Sequence, residues 1–274
     1  TARPDLPPAG RSGYRSGMPA AAIILAAGLG TRMRSSLPKA LHPIAGRPML
    51  NHLIAACEAA FDRIVVVVGP GMEALERAAA PHPTVVQAER LGTGHAALQA
   101  APLLEGFDGT AAVLYADNPL ISAETLRRLL ARRAEAGLAL LAMRPADPGR
   151  YGRVVREPSG DVLRVVEWAD ADAAERGIGL CNAGVVCAPA TDLLRWLRAL
   201  RNDNSKGEYY LTDAVALARA DGKRVVAEEA PEAELRGINS RAELAQAEAT
   251  AQAALRAAAL EGGATLTAPE TAFL

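Results

Sequence analysis

Three short stretches, "AAIIL" (21–25), "RIVVVV" (63–68) and "AAVLY" (111–115), are apolar almost from end to end. A strand with one wet face alternates apolar with polar residues, whereas a strand without that alternation has to be covered on both sides. Each run is followed by a helix-patterned segment: "PMLNHLIAACEAAF", "GMEALERAAA" and "AETLRRLLARRAEAG" respectively. "TVVQ" leading into "GTGHAALQAAPLL" repeats the pattern as one more strand and helix. Buried strands alternating with helices predict an α/β fold built on a doubly wound, mixed but mostly parallel sheet.

After "LALLAM" (138–143) the texture changes. "GRVVRE" and "DVLRVVEWAD", separated by "PSG", read as a hairpin, and "GLCNAGVVCA", "TDLLRWLRAL", "EYYLTDAVALARADG" and "KRVVAEEA" follow. With no long linker between them, this half reads as a β-rich insertion lobe closing over the first. One domain is therefore expected over 18–245. The leader "TARPDLPPAGRSGYRSG" (1–17) has no apolar periodicity and no signal-peptide core, so it reads as a disordered leader or tag, with Met18 a candidate natural start.

The charges narrow the classes of partner. Lys and Arg number 30 against 31 Asp and Glu, a net charge of −1, so bulk attraction to nucleic acid or an anionic membrane is not expected. No apolar run approaches the roughly 20 residues of a membrane span. Cys57, Cys181 and Cys187 lack metal or redox spacing and read as core residues of a cytoplasmic protein.

Affinity for anions must then be local, and the end of the first strand offers it. "LAAGLGTRMRSSLPKAL" (25–41) runs off the strand into Gly28 and Gly30, then presents Thr31, Arg32, Arg34 and Lys39. Ligands of open α/β sheets sit beyond the carboxyl ends of strands, where exposed N–H groups meet phosphate. A tight turn would explain the glycines alone; the cations favour polyphosphate. Met33 breaks the dinucleotide fingerprint, which disfavours a nicotinamide oxidoreductase, and no Lys-Ser or Lys-Thr completes a P-loop.

The same stretch resembles the L-x-x-G-x-G-T-R-M-x-x-x-x-P-K signature of sugar-1-phosphate nucleotidyltransferases. "VVQAERLGTGHAALQAA", "LYADNPLI", "YGRVVRE", "VVEWADA", "CNAGV", "NDNSKGEYYLTD" and "GINSRAELA" follow in order. Together they are similar to the uridyltransferase domain of the bifunctional N-acetylglucosamine-1-phosphate uridyltransferase/glucosamine-1-phosphate acetyltransferase family. The resemblance implies transfer of a uridylyl group from UTP to N-acetylglucosamine 1-phosphate, giving UDP-N-acetylglucosamine, a cell-envelope precursor, and pyrophosphate.

It also implies roles for residues. Leu25, Ala26, Ala27, Gly28, Gly30, Thr31, Gln87, Gly92, Thr93, Tyr115 and Ala116 would hold the nucleotide. Arg32 and Lys39 would neutralise phosphates, and Asp117 with Asn239 would hold Mg²⁺. Gly152, Glu167 and Asn182, with Tyr209 and Thr212, would hold the sugar. Asp117 is expected to close the strand "AVLYAD"; read without the resemblance, Thr93 has a helix N-cap as its alternative, and an isolated strand-end Asp is more often a cap or turn residue. His42, His52, His82 and His95 show no ligand spacing.

Four positions depart from the family's pattern: Ala116 for glycine, Asn118 for a hydrophobic residue, Ala169 for lysine and Ala183 for threonine. The last two are expected beside the sugar. They motivate two alternatives, a transferase for another sugar 1-phosphate and a catalytically weak nucleotide-sugar-binding homologue. At the other end, 246–262 is expected to be a linker helix. "GATLTAPETAFL" (263–274) resembles the entry to a left-handed β-helix that stops early, so no acetyl transfer is expected, and a trimer only where a full β-helix is present.

Overall fold

The computed structural model describes residues 18–274, so the expected leader over 1–17 lies outside the described residues. In chain order the strands are β1 (Ala20–Leu25), β2 (Pro43–Ile44), β3 (Arg47–Pro48), β4 (Arg63–Val68), β5 (Thr84–Val86), β6 (Thr110–Tyr115), β7 (Leu138–Met143), β8 (Arg153–Arg156), β9 (Val162–Val166), β10 (Cys181–Pro189) and β11 (Val225–Glu229). The main sheet runs β11-β7-β10-β6-β1-β4-β5. β1 lies parallel to β4 and β6, β4 to β5, and β7 to β11, while β10 runs antiparallel to both its neighbours. This is the mixed, mostly parallel sheet that the apolar runs predict.

The apolar runs are explained by two cores, one on each face of the sheet. Ala22 and Ile24 of β1 meet Leu50 and Leu53 of the helix Met49–Glu58 and Leu126 and Leu129 of the helix Ala123–Ala134. Ala21 and Ile23 point the other way, toward Ala96 and Ala97 of the helix Thr93–Leu98 and Leu193, Trp196 and Leu197 of the helix Ala190–Ala199. Every residue of β1 is buried. At about 1.5–3 kcal/mol for each large aliphatic side chain removed from water, the two faces together hold the central strands rigid. The loops at their carboxyl ends inherit that rigidity.

Three expectations need correction. The segment 92–104 forms two helices, Thr93–Leu98 and Ala101–Leu104, because Pro102 enters the first turn of the second. Proline has no N–H to continue a preceding helix and crowds the carbonyl four residues back. The second half is not wholly an inserted lobe: β10 and β11 are strands of the main sheet, and the hairpin β8–β9 is the part that leaves it, joined through β8 to β10. Finally, the strand ends at Tyr115, so Asp117 sits in the turn that follows.

The long helix runs unbroken from Arg241 to Glu261, across the expected boundary at 245. Its first turns pack Ala247 against Ile44, Met49 and Ile238, and Glu248 Oε2 accepts from Ala45 N at 2.7 Å. Residues 263–274 carry the 3-10 turn Pro269–Thr271 and no strand. They fold back so that Gln252 receives Leu274 N at 2.8 Å and donates to Leu274 O at 3.0 Å.

Trp196, 1% exposed, is the largest fully buried side chain and donates its indole N–H to Asp221 Oδ2 at 2.6 Å. Trp196→Ala opens a cavity and removes one of the two donors to that carboxylate, which keeps Arg195 at 2.6 Å, and should cost about 3–5 kcal/mol. Urea unfolding followed by circular dichroism reads this as a lowered midpoint. A midpoint within error of wild type would mean that the helix Ala190–Ala199 does not anchor this face.

Candidate active site

The site begins where the strands run out. Past the end of β1 the ladder continues for one more step: Ala26 N donates to Val67 O at 2.7 Å and Ala116 N to Leu25 O at 3.0 Å. Gln87 N donates to Val68 O at 2.8 Å. Three loops are thus fixed side by side at one edge of the sheet. Between them lies a cleft of about 220 Å³ lined by Leu25, Ala26, Ala27, Gly28, Lys39, Gln87, Gly92, Thr93, Tyr115, Ala116 and Asp117, together with Ala40, Arg90, Ala96 and Glu208. All but Gly30 and Thr31 of the residues expected to hold the nucleotide line it.

The loop between β1 and β2 folds back over the cleft. A β-carbon on Gly30 would lie 2.6 Å from Lys39 Cβ, and its φ of +61° suits glycine, so Gly30 is what lets Lys39 pass beneath the turn. Lys39 then reaches across the molecule. Its ammonium donates to Asp117 Oδ2 in a short contact and to Asn239 Oδ1 at 3.0 Å. Both side chains of that ion pair are mostly buried. Arg32 and Thr31 sit exposed on the 3-10 turn Thr31–Met33, outside the cleft lining.

Asp117 and Asn239, far apart in the chain, are joined by backbone. Ile238 N donates to Asp117 O at 2.8 Å, and Asn118 Nδ2 donates to Leu235 O at 2.6 Å. The unexpected Asn118 is therefore a buried clamp on the segment that delivers Asn239. Beyond it, Glu243 Oε2 accepts from Asn239 N at 2.7 Å, while Ser240 caps the long helix through Glu243 N. Arg241 donates to Met33 O at 3.1 Å and reaches His42 Nδ1 at 3.4 Å, tying this helix start back to the loop of Arg32. His42 itself is buried, which lowers its pKa, with Arg241 pushing the same way, and its Nε2 has no partner among the described residues.

On the far side of the cleft, Gln87 Nε2 donates to Gly92 O at 3.1 Å and lies 3.2 Å from His95 Nδ1. Gly92 is the helix N-cap, not Thr93, whose hydroxyl instead accepts from Leu211 N at 3.0 Å. Tyr209 clamps the same turn with its backbone: Tyr209 N donates to Leu91 O and its carbonyl accepts from Gly94 N, both at 2.8 Å. Its ring lies 6.3 Å from that of His95. The structure thus sets Tyr209 against the nucleotide-side turn. Burial raises the Tyr115 pKa, offset in part by its hydrogen bond with Thr93.

The remaining expected residues gather beside β10. Asn182 N donates to Gly152 O at 2.9 Å, and Asn182 Oδ1 accepts from Gly184 N at 3.1 Å. The register slips between Asn182 and Val186, a bulge that re-aims this stretch of β10. Thr212 Oγ1 donates to Glu167 Oε1 at 3.2 Å. The Tyr115 ring packs directly against Gly184, so the two groups of residues share a wall. Ala183 is buried and Ala169 exposed.

Sequence reasoning missed Arg90, whose Nε donates to Ala27 O at 2.9 Å inside the cleft. It missed Arg241 as well. A single arginine in a polar loop, or one on the exposed start of a helix, carries no periodic signal that would find it.

The resemblance implies a metal ion, and the donor set can be tested for its fit. One carboxylate oxygen and one amide oxygen converge, and a cation, the Lys39 ammonium, already stands between them. Among the described residues no group of three or more His, Cys, Asp or Glu side chains could cage a metal. Two hard oxygen donors open to phosphate and water are what magnesium accepts. The residues fit the ion.

A mostly parallel sheet whose carboxyl edge carries a cationic glycine loop and two facing oxygen donors defines a nucleotide-binding α/β transferase. The chain belongs to the family of the MobA-like NTP transferase domain, whose pattern matches residues 22–216. It is 62% identical to the bifunctional protein GlmU of Gluconacetobacter diazotrophicus, over 99% of this chain and 59% of that one. It is likewise 62% identical to the bifunctional protein GlmU of Granulibacter bethesdensis, over 92% of this chain and 57% of the relative. The chain therefore spans less than two thirds of the length of these relatives. A UDP-glucose pyrophosphorylase, solved with UDP-glucose, superimposes with a TM-score of 0.71 over 86% of this chain and all of its own, at 21% identity, a likeness of fold.

Burial holds the Glu167 carboxyl above its ordinary pKa, partly offset by the hydrogen bond from Thr212. The folded chain then keeps this proton to higher pH than the unfolded chain, so stability falls as pH climbs from the ordinary glutamate value through the raised one. Glu167→Gln should accordingly raise the melting temperature at pH 7. The gain should vanish below the ordinary glutamate pKa. Equal melting temperatures at pH 7 would show that the carboxylate costs nothing where it lies.

Proposed function

We propose that this domain transfers a uridylyl group from UTP to N-acetyl-α-D-glucosamine 1-phosphate, yielding UDP-N-acetylglucosamine and pyrophosphate. The observation that carries the reading is the convergence of Lys39, Asp117 and Asn239 at the mouth of a cleft lined by the 25–28, 87–93 and 115–117 loops. A phosphate oxygen of the sugar attacks the α-phosphorus, a new P–O bond forms, and the bond to the β-phosphate oxygen breaks in line. Both reactants are polyanions, so catalysis here is mostly positioning and neutralisation.

The chain's residues divide that work. Backbone groups of Leu25, Ala26, Ala27 and Gly28, with Gly30 and Thr31 on the following turn, hold the nucleotide. Gln87, Gly92 and Thr93 read the uracil, with Tyr115 and Ala116 forming the floor. Lys39 turns from Asp117 to the phosphates, leaving Asp117 and Asn239 to hold Mg²⁺, and Arg32 meets the leaving pyrophosphate. The magnesium, when bound, withdraws charge from the α-phosphate oxygens. Gly152, Glu167, Asn182 and Thr212 take the sugar hydroxyls and acetamide, with Tyr209 bracing the turn between the two substrates. The high identity to GlmU proteins supports this choice of sugar and a cytoplasmic setting.

A second reading has its own observation. Ala183, buried in the bulge of β10, and the exposed Ala169 are smaller than the residues expected there, a loss of bulk that would suit another sugar 1-phosphate. Pyrophosphate release with UTP, Mg²⁺ and either N-acetylglucosamine 1-phosphate or glucose 1-phosphate separates the two. We expect the acetylated sugar to be turned over far faster; equal rates, or faster release with glucose 1-phosphate, overturn the choice of substrate. Asp117→Ala should lower turnover at least about 100-fold with unchanged circular dichroism. Wild-type-like turnover in that variant removes the metal role.

A further inference from the structure

Arg153 is 1% exposed and, among the described residues, makes no ion pair. A buried charge without a counter-charge costs several kcal/mol unless other groups solvate it. Backbone carbonyls do so here. The guanidinium donates to Gly149 O at 3.0 Å, to Pro148 O and Arg176 O at 3.3 Å, and to Tyr151 O in a shorter contact. Its flat face lies 5.0 Å from the centre of the Trp168 ring, and the guanidinium of Arg176 stacks at 4.8 Å on the same indole. Arg176 also donates to Trp168 O at 3.3 Å.

These partners adjoin the residues assigned to the sugar. Tyr151 precedes Gly152, Trp168 follows Glu167, and Cys181, whose sulfur lies 3.7 Å from the guanidinium, precedes Asn182. A β-carbon on Gly152 would come within 3.6 Å of Glu167 Oε2, so the loop and the carboxylate are set against each other at contact distance. One guanidinium therefore fixes three separate chain segments, each carrying one sugar-facing residue.

We propose that Arg153, through Trp168, is the positioning residue of the sugar-phosphate pocket: it holds Gly152, Glu167 and Asn182 in register without touching substrate. The proposal rests on the functional reading above. It has a specific consequence, because the nucleotide loops at the ends of β1, β4 and β6 receive none of Arg153's bonds. Loosening Arg153 should be felt by the sugar 1-phosphate and not by UTP.

Steady-state pyrophosphate release with each substrate varied in turn tests this on the intact chain. Arg153→Met and Trp168→Ala should each raise KM for the sugar 1-phosphate at least about tenfold while KM for UTP stays within about twofold. Trp168→Phe keeps an aromatic face for both guanidinium groups and should recover most of the loss; Arg153→Lys, which cannot span four carbonyls, should not. Equal rises in both KM values, or a wild-type sugar KM in Trp168→Ala, overturn the proposal. Should Arg153→Met fail to fold by circular dichroism, the half-exposed Trp168 pair decides alone.

A readout without turnover separates this proposal from the functional reading. Difference fluorescence between wild type and Trp168→Phe isolates Trp168, and adding UDP-N-acetylglucosamine should change that signal. An unchanged signal, with the ligand shown to bind by calorimetry, overturns the positioning role even in an active enzyme. A changed signal in a protein that releases no pyrophosphate leaves positioning standing and removes the transferase reading.

Discussion

The contact of one lysine with two oxygen donors from distant parts of the chain organises the rest. Lys39 can reach Asp117 and Asn239 only because Gly30 leaves room for its stem, because β6 ends two residues before Asp117, and because the segment 235–239 is bonded to that same turn. Two unit charges of like sign about 4 Å apart repel by roughly 4 kcal/mol at an effective dielectric near 20. Bringing two phosphorylated reactants together multiplies that figure. A fold meant for such chemistry needs cations and cation-binding oxygens held still before the substrates arrive, and the two-sided core supplies the stillness.

The lone antiparallel strand of the main sheet has a parallel importance. β10 returns between β6 and β7, so its bulge lies next to the strand whose end carries Tyr115, Ala116 and Asp117. Tyr115 against Gly184 makes a common wall for the nucleotide cleft and the residues around Asn182. Had the second half been a separate lobe, that geometry would depend on a hinge. Because β10 and β11 belong to the sheet, only the β8–β9 hairpin leaves it; backbone pairing joins β8 to β10 at one end, and Arg153 lies at that junction.

Much of this was legible in the sequence, for physical reasons that differ by element. β1, β4 and β6 announce themselves because burial on two faces removes every polar position from them. The glycine loop is legible because phosphate needs backbone N–H groups, cations and no bulk, a combination with few other uses. β10 carried the same signal in "CNAGVVCAP", yet a polar residue and a glycine interrupt it where the bulge forms, so it reads as lobe and not as core. The alternative reading of Thr93 as a cap fails because its hydroxyl answers to Leu211, a tertiary partner invisible in local sequence. Asn118 looked like an anomaly for the same reason: its partner, the Leu235 carbonyl, is contributed by a distant segment. Arg90, Arg153 and Arg241 bond mainly to carbonyl oxygens, and a carbonyl has no letter in the sequence.

The charge pattern of the site adds a last step. Lys39, Arg32 and Arg90 lie with the glycine loop, where Asp117 pairs with Lys39, whereas Glu167 has Asp170 and Asp213 as charged neighbours, with the Lys206 ammonium close by. Burial, then the neighbouring Glu167 and Asp170 charges, raise the Asp213 pKa, so the fold spends stability to keep these carboxylates together. A sugar 1-phosphate is itself polar in the same sense, with neutral hydroxyls at one end and a dianion at the other. Carboxylates accept hydroxyl hydrogen bonds and repel phosphate; the cationic side does the reverse. Under the proposed function the cleft thus orients its acceptor before any single contact forms, with the nucleophilic oxygen turned toward the α-phosphorus.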